Sequence, residues 1–168
     1  MTLSARLYIS VVVALGSFVL AVAALHPTSH QPVKFICYLV VAVAASRLKV
    51  NLPGITGTMS VNFLFILLGI LELSFAETIA LGCVAILTQC FYRDRPRFVQ
   101  VIFNTCATSF AIGLSYCIYH VTLFRAQSNP AILLVATASA YFAANTIPVA
   151  TVISLTEHKS LRRIWSDC

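Results

Sequence analysis

Charge is what this sequence has least of. Its 168 residues include eleven lysines and arginines and five acids, so 10% are charged, where a soluble domain carries roughly 25%. So few charges cannot clothe a core of this size in groups that water solvates, which excludes an ordinary soluble domain. Proline, glycine and serine form no linker, and no second composition or fixed-period repeat divides the chain, so residues 1–168 read as one domain. There is no CxxC pair and no secreted disulfide framework. There is also no nucleophile elbow, phosphate-cradling glycine loop or zincin motif. No catalytic residue can be named, and the chain reads as a non-enzyme that needs no cofactor and no metal.

What the sequence has instead is apolar length. Hydrophobic residues make up 60% of it and the mean hydropathy is +0.92. A bilayer core of about 30 Å takes about 20 apolar residues to cross as a helix. Six runs approach that: Leu7–Leu25, Val33–Ser46, Ser60–Leu73, Phe75–Tyr92, Phe98–Phe124 and Pro130–Leu155. The expected architecture is an all-α membrane bundle of about six transmembrane helices. The first, fourth, fifth and sixth runs are long enough to cross; the second and third are short. Between those two, Arg47 to Met59 holds Pro53, Gly54 and Gly57. It is either an interfacial loop or a segment tucked into the bundle, because non-helical backbone at membrane depth must be buried in protein or line water.

The net charge of +6 does not point to nucleic acid, because the cations sit in short clusters between apolar runs rather than along a groove. Those clusters set orientation. With the N-terminus in the cytoplasm, Arg6, Arg47, Lys49, Arg93, Arg95, Arg97, Lys159, Arg162 and Arg163 fall inside, and only Lys34 and Arg125 fall outside. That is a strong positive-inside bias and predicts both ends in the cytoplasm, as in a multi-pass protein of a bacterial inner membrane. Tyr8, Phe91, Tyr92, Phe98 and Trp165 then lie near the inner interface, where aromatic rings are favoured. A rival for residues 1–23 is a cleaved signal peptide, since Arg6 precedes an apolar run ending in Ala21-Val22-Ala23; the run is longer than a usual signal core.

Helices in lipid associate through small residues and hydrogen bonds, because the lipid is as apolar as they are. Thr105, Ser109, Gly113 and Cys117 recur every four residues in the fifth run, and Ala136, Ala140 and Ala144 do so in the sixth. These stripes predict that the last two helices pack on each other, with a homodimer seam as the second use. Ile112 is the contrast to these positions if it faces lipid. The intramembrane polar residues are Asn62, Glu72, Glu77, Asn104, His120 and Asn145, and such groups default to a functional reading. Ser74-Phe-Ala-Glu77 has the spacing of a capping box opening the fourth helix, so Glu77 reads as structural. The candidate ligand-binding residues are therefore Asn62, Glu72, Asn104 and Asn145, with helix–helix hydrogen bonding as the plainer role of the asparagines. Pro148, three residues after Asn145, is expected to bend the last helix and free a carbonyl. Cys37, Cys83, Cys90, Cys106 and Cys117 read as small apolar filler. His26 and His30 lack a third ligand in sequence, and Pro27 prevents a regular helical pair.

Two stretches carry a resemblance. Ser46-Arg-Leu-Lys-Val-Asn-Leu-Pro-Gly-Ile-Thr-Gly-Thr-Met-Ser-Val-Asn-Phe-Leu-Phe65, and Phe91 to Asn104 with Pro96 ahead of Val99-Gln-Val-Ile-Phe-Asn104, resemble parts of the N-terminal multi-helix membrane sensor regions of bacterial GGDEF and HD-GYP signalling proteins. The likeness covers roughly residues 35 to 160. It implies a membrane input module that passes a signal to cytosolic cyclic-di-GMP chemistry. The sequence stops at Cys168 with no GGDEF or HD-GYP effector, so the effector is expected on a partner chain, or the chain is a piece of a longer one. The competing class is a small-solute transporter or the substrate-binding membrane subunit of one. A polar pocket uniting Asn62, Glu72 and Asn104 would favour binding or transport; a dry apolar core would favour a sensor.

Overall fold

The computed structural model describes residues 3–26, 32–46, 49–51, 58–60, 62–93, 97–120 and 129–157. Among these are six helices: α1 Leu3–Leu25, α2 Pro32–Ser46, α3 Asn62–Glu72, α4 Phe75–Arg93, α5 Phe98–His120 and α6 Pro130–Glu157. Their bounds follow the apolar runs to within a few residues. Between α2 and α3 lies a short antiparallel ribbon, β1 Lys49–Asn51 against β2 Thr58–Ser60, with Val50 opposite Met59. The Pro53–Gly57 part of that connection lies outside the described residues, as do Arg125, His30 and the basic tail from Lys159.

Local chemistry sets the helix starts. Pro32 and Pro130 occupy first helical positions, where their missing N–H costs nothing, and Asn129 Oδ1 caps α6 by accepting from Ala131 N at 3.0 Å. Gln100 Oε1 accepts from Arg97 N at 3.2 Å, half of a capping box at the head of α5. The box at α4 is complete. Ser74 N and Oγ donate to Glu77 Oε2 at 3.0 and 2.9 Å, and Glu77 N donates to Ser74 Oγ at 3.3 Å.

Helix α5 is the hub. It packs against α1, α3, α4 and α6, while α2 lies on α3 and α4. Close approach requires glycine at two crossings. A methyl group at Gly16 of α1 would run into the backbone of Cys106 on α5, and one at Gly113 of α5 would stand 2.9 Å from Val19 Cγ1 of α1. The small-residue stripe of α5 is thus divided between neighbours. Gly113 meets α1, Ser109 meets Cys83 of α4 at 3.4 Å, and Cys117 is exposed. The predicted α5–α6 packing is present, but Gly113 serves the α1 seam. Ile112 is not lipid-facing: it is fully buried and sits against Gly82 of α4.

Among the described residues three helices are long and apolar enough to cross a membrane: Leu3–Leu25, Phe98–His120 and Pro130–Thr156. The apolar part of the fourth run, Phe75–Phe91, is shorter than these three, as are α2 and α3. At 1.5 Å per residue the 11 residues of α3 cover only about 16 Å.

Candidate functional site

The four candidate residues do not form one site. Asn62 and Glu72 stand at opposite ends of α3, about 15 Å apart along its axis. Asn62 is buried. Asn104 bridges α5 to α4, its Nδ2 donating to Cys90 Sγ at 3.8 Å. Asn145 bridges α6 to α5, its Oδ1 accepting from Thr108 Oγ1 at 3.5 Å. Each asparagine lies at its own place in the bundle. Glu72, Asn104 and Asn145 are each bonded to a different partner.

The arrangement that does gather polar groups lies at the last turn of α3. Helix ends leave carbonyls in need of donors, and here α4 and α5 each approach one, while α2 reaches the Glu72 carboxylate. Gly69 O accepts from Thr78 Oγ1 of α4 at 2.9 Å, and Ile70 O lies 2.8 Å from His120 Nε2 of α5. Glu72 Oε2 takes Lys34 Nζ of α2 at 2.5 Å and the Tyr38 hydroxyl, one turn further along α2, at 3.2 Å. Lys34 and Glu72 keep 34% and 43% of their side chains exposed, so their pairing is screened by water and salt. An aromatic layer lies beneath. The His120 ring stacks on Tyr116 at 4.1 Å and meets Tyr119 edge-on at 5.1 Å, and Phe75 packs on Tyr116 at 5.1 Å.

This cluster also orders the helix ends. The start of α2, the end of α3, the start of α4 and the end of α5 share one end of the bundle, carrying Lys34, Glu72, Phe75 and His120. At the other end, Tyr8 and Ile9 of α1, Phe103 of α5 and Val152 of α6 pack together. Successive helices therefore alternate in direction where these contacts join them.

Sequence reasoning named Glu72 and His120 singly but missed Lys34, Tyr38 and Thr78 as partners. The spacing Lys34-xxx-Tyr38 on one helix face was the available signal. Between the ends, the core is apolar: Ile66, Ile70, Leu81, Ala111, Ile112 and Tyr141 are buried together. Its buried hydroxyls largely bond to backbone within their own helices, as Ser109 to Thr105 O and Thr137 to Leu133 O, each at 2.8 Å. Among the described residues no three His, Cys, Asp or Glu side chains group as metal ligands. No family model, curated protein or solved structure matches this chain.

Proposed function

We propose that the chain is a six-pass protein of a bacterial cytoplasmic membrane, with both ends inside, and that it is a sensory input module without catalytic activity of its own. Three long helices supply unaided crossings, and α2, α3 and α4 cross as shorter members held within the bundle. The positive-inside bias and the alternation of helix ends both favour this topology. On it, Lys34 and Glu72 face the outside, and Tyr8 lies at the inner interface.

The observation that supports the sensory reading is the gathering of contacts from α2, α4 and α5 at the last turn of α3. A solute carrier needs a polar path or pocket near mid-membrane. A sensor needs two arrangements that a stimulus distinguishes energetically, and three helices tied to the end of α3 supply an element that can be released. The output partner is a cytosolic GGDEF or HD-GYP effector, on another chain or joined to this one, and homodimerisation is a second route for the signal.

The test is a chimera carrying a diguanylate cyclase after Cys168, with cyclic-di-GMP measured in cells. Glu72→Gln and Pro148→Ala should each change the output, the first by weakening the tie of α2 to the end of α3, the second by restoring a backbone N–H within α6. Unchanged output in both, together with uptake of a small solute by vesicles containing the native chain, would replace the sensory reading with transport.

A further inference from the structure

The bundle offers a membrane two thicknesses. Helices α1 and α6 pack on α5 and on each other, and they expose apolar side chains from Leu3 to Leu25 and from Ile132 to Val149. Their 23 and 28 residues reach about 35 and 42 Å, more than a hydrocarbon core of about 30 Å. Helix α2, which lies on α3 and α4, has 15 residues and α3 has 11. These span at most about 22 and 16 Å, and tilting only shortens that reach.

The side chains of the short helices say what covers them. Helices pair in a membrane through small residues, and on α2 and α3 those residues, Ala42, Ala45 and Gly69, are buried inside the bundle. Turned outward instead are Val33, Ile36 and Val40 along one line of α2, and Leu64 and Leu68 one turn apart on α3. These are lipid-facing side chains, without the small residues that let a second backbone approach. The face ends in charge: partly exposed Lys34 and Glu72 close one end, and Arg47 and Lys49 follow α2 in sequence at the other.

We propose that the α2–α3 face takes phospholipid of short acyl chain as its boundary, and that hydrophobic thickness is the stimulus to which the bundle responds. The coupling runs through Lys34. In a thin bilayer its ammonium stands among the headgroups while bonded to Glu72. In a thick one the same end lies below the headgroups, where charge is costly. Lysine can regain them by reaching outward along its stem, but only by leaving Glu72. Thickness therefore acts on the contact that ties α2 to the end of α3.

This inference deepens the sensory reading by naming a stimulus, and it rests on the six crossings of that reading; lipid contact itself is measured without any effector. In a Trp165→Phe background, a single tryptophan is introduced as Leu68→Trp on α3 or Leu15→Trp on α1, both exposed positions. The full chain is reconstituted in mixed phosphatidylcholines with C14 and C22 monounsaturated chains, one of them brominated at a time, and quenching gives the relative affinity of each lipid at each probe. Leu68→Trp should report a preference for the C14 lipid of about fivefold, the ratio that a few ångströms of mismatch produce, and Leu15→Trp should report none. Adding Lys34→Leu and Glu72→Leu, which carry the apolar face past its charged end, should lower the Leu68→Trp preference to about twofold and leave Leu15→Trp unchanged. Equal preferences at the two probes would overturn the proposal, as would a Leu68→Trp preference that the two leucine substitutions do not alter. So would a Leu68→Trp probe that no lipid quenches while Leu15→Trp is quenched, the result expected if a second copy covers this face. A green fluorescent protein fusion after Arg95 separates the two levels: fluorescence assigns such a failure to this inference alone, and phosphatase activity of the matching fusion assigns it to the six crossings.

Discussion

At Ile112 the bundle makes a demand that hydropathy conceals. The side chain is fully buried between α5 and α4, so Ile112→Ala removes packing that lipid cannot replace. The expected loss is about 2 kcal/mol, read as a lower thermal midpoint in detergent. Leu15→Ala, on the exposed face of α1, should move that midpoint little. Gly16→Ala should be as damaging as Ile112→Ala despite adding one methyl, because that methyl meets the Cys106 backbone rather than a side chain that can turn away. Equal midpoints for Gly16→Ala and Leu15→Ala would contradict the α1–α5 crossing. These distinctions were not legible in the sequence. Ile112 and Leu15 are equally apolar, and in a membrane the buried and lipid-facing sides of a helix share the same chemistry. The capping box was legible, because Ser74 and Glu77 lie three residues apart and their bonds are local. Ser74→Ala should cost about 1 kcal/mol, measured as unfolding free energy in mixed micelles.

At the scale of elements, α3 is too short to stand alone and is held by what its last turn receives. Thr78→Val removes the hydroxyl that serves both Gly69 O and Ser74 O, each at 2.9 Å, and should cost about 1 kcal/mol by the same measurement. Lys34→Met and Glu72→Gln act differently, since both groups are exposed and screened. Their effects should be small, non-additive and lost in high salt, which a double-mutant cycle at two ionic strengths detects; a large salt-independent coupling would refute the exposed geometry. Helix existence and bounds were readable because each apolar run has its own stops, such as Pro32, Ser74 and Pro130. The contacts between helix ends were not. Ile70 and His120 are fifty residues apart, and nothing in either neighbourhood encodes that one carbonyl meets that ring. The same limit applied to the four candidate residues, whose polarity was visible but whose partners follow from packing.

For the whole molecule, composition decided the class and the crossing number is what stands to be tested. Three of the described helices are long and apolar enough to cross, and the proposal adds α2, α3 and α4, shorter but apolar, ordered so that Lys34, Glu72 and His120 share one end. The alternation of contacts and the distribution of nine of eleven cations on one side lead to the same arrangement by independent routes, one from packing and one from insertion. If only the long helices crossed, the polypeptide between α1 and α5 would stay on one side, and the segments after α1 and after α4 would face the same compartment. Paired reporter fusions decide this directly: green fluorescent protein for the cytoplasm and alkaline phosphatase for the exterior, placed after Ser29, Arg47, Arg95, Gln127 and Cys168. Six crossings with both ends inside predict phosphatase activity at Ser29 and Gln127 and fluorescence at Arg47, Arg95 and Cys168; phosphatase activity at Arg95 would contradict the account.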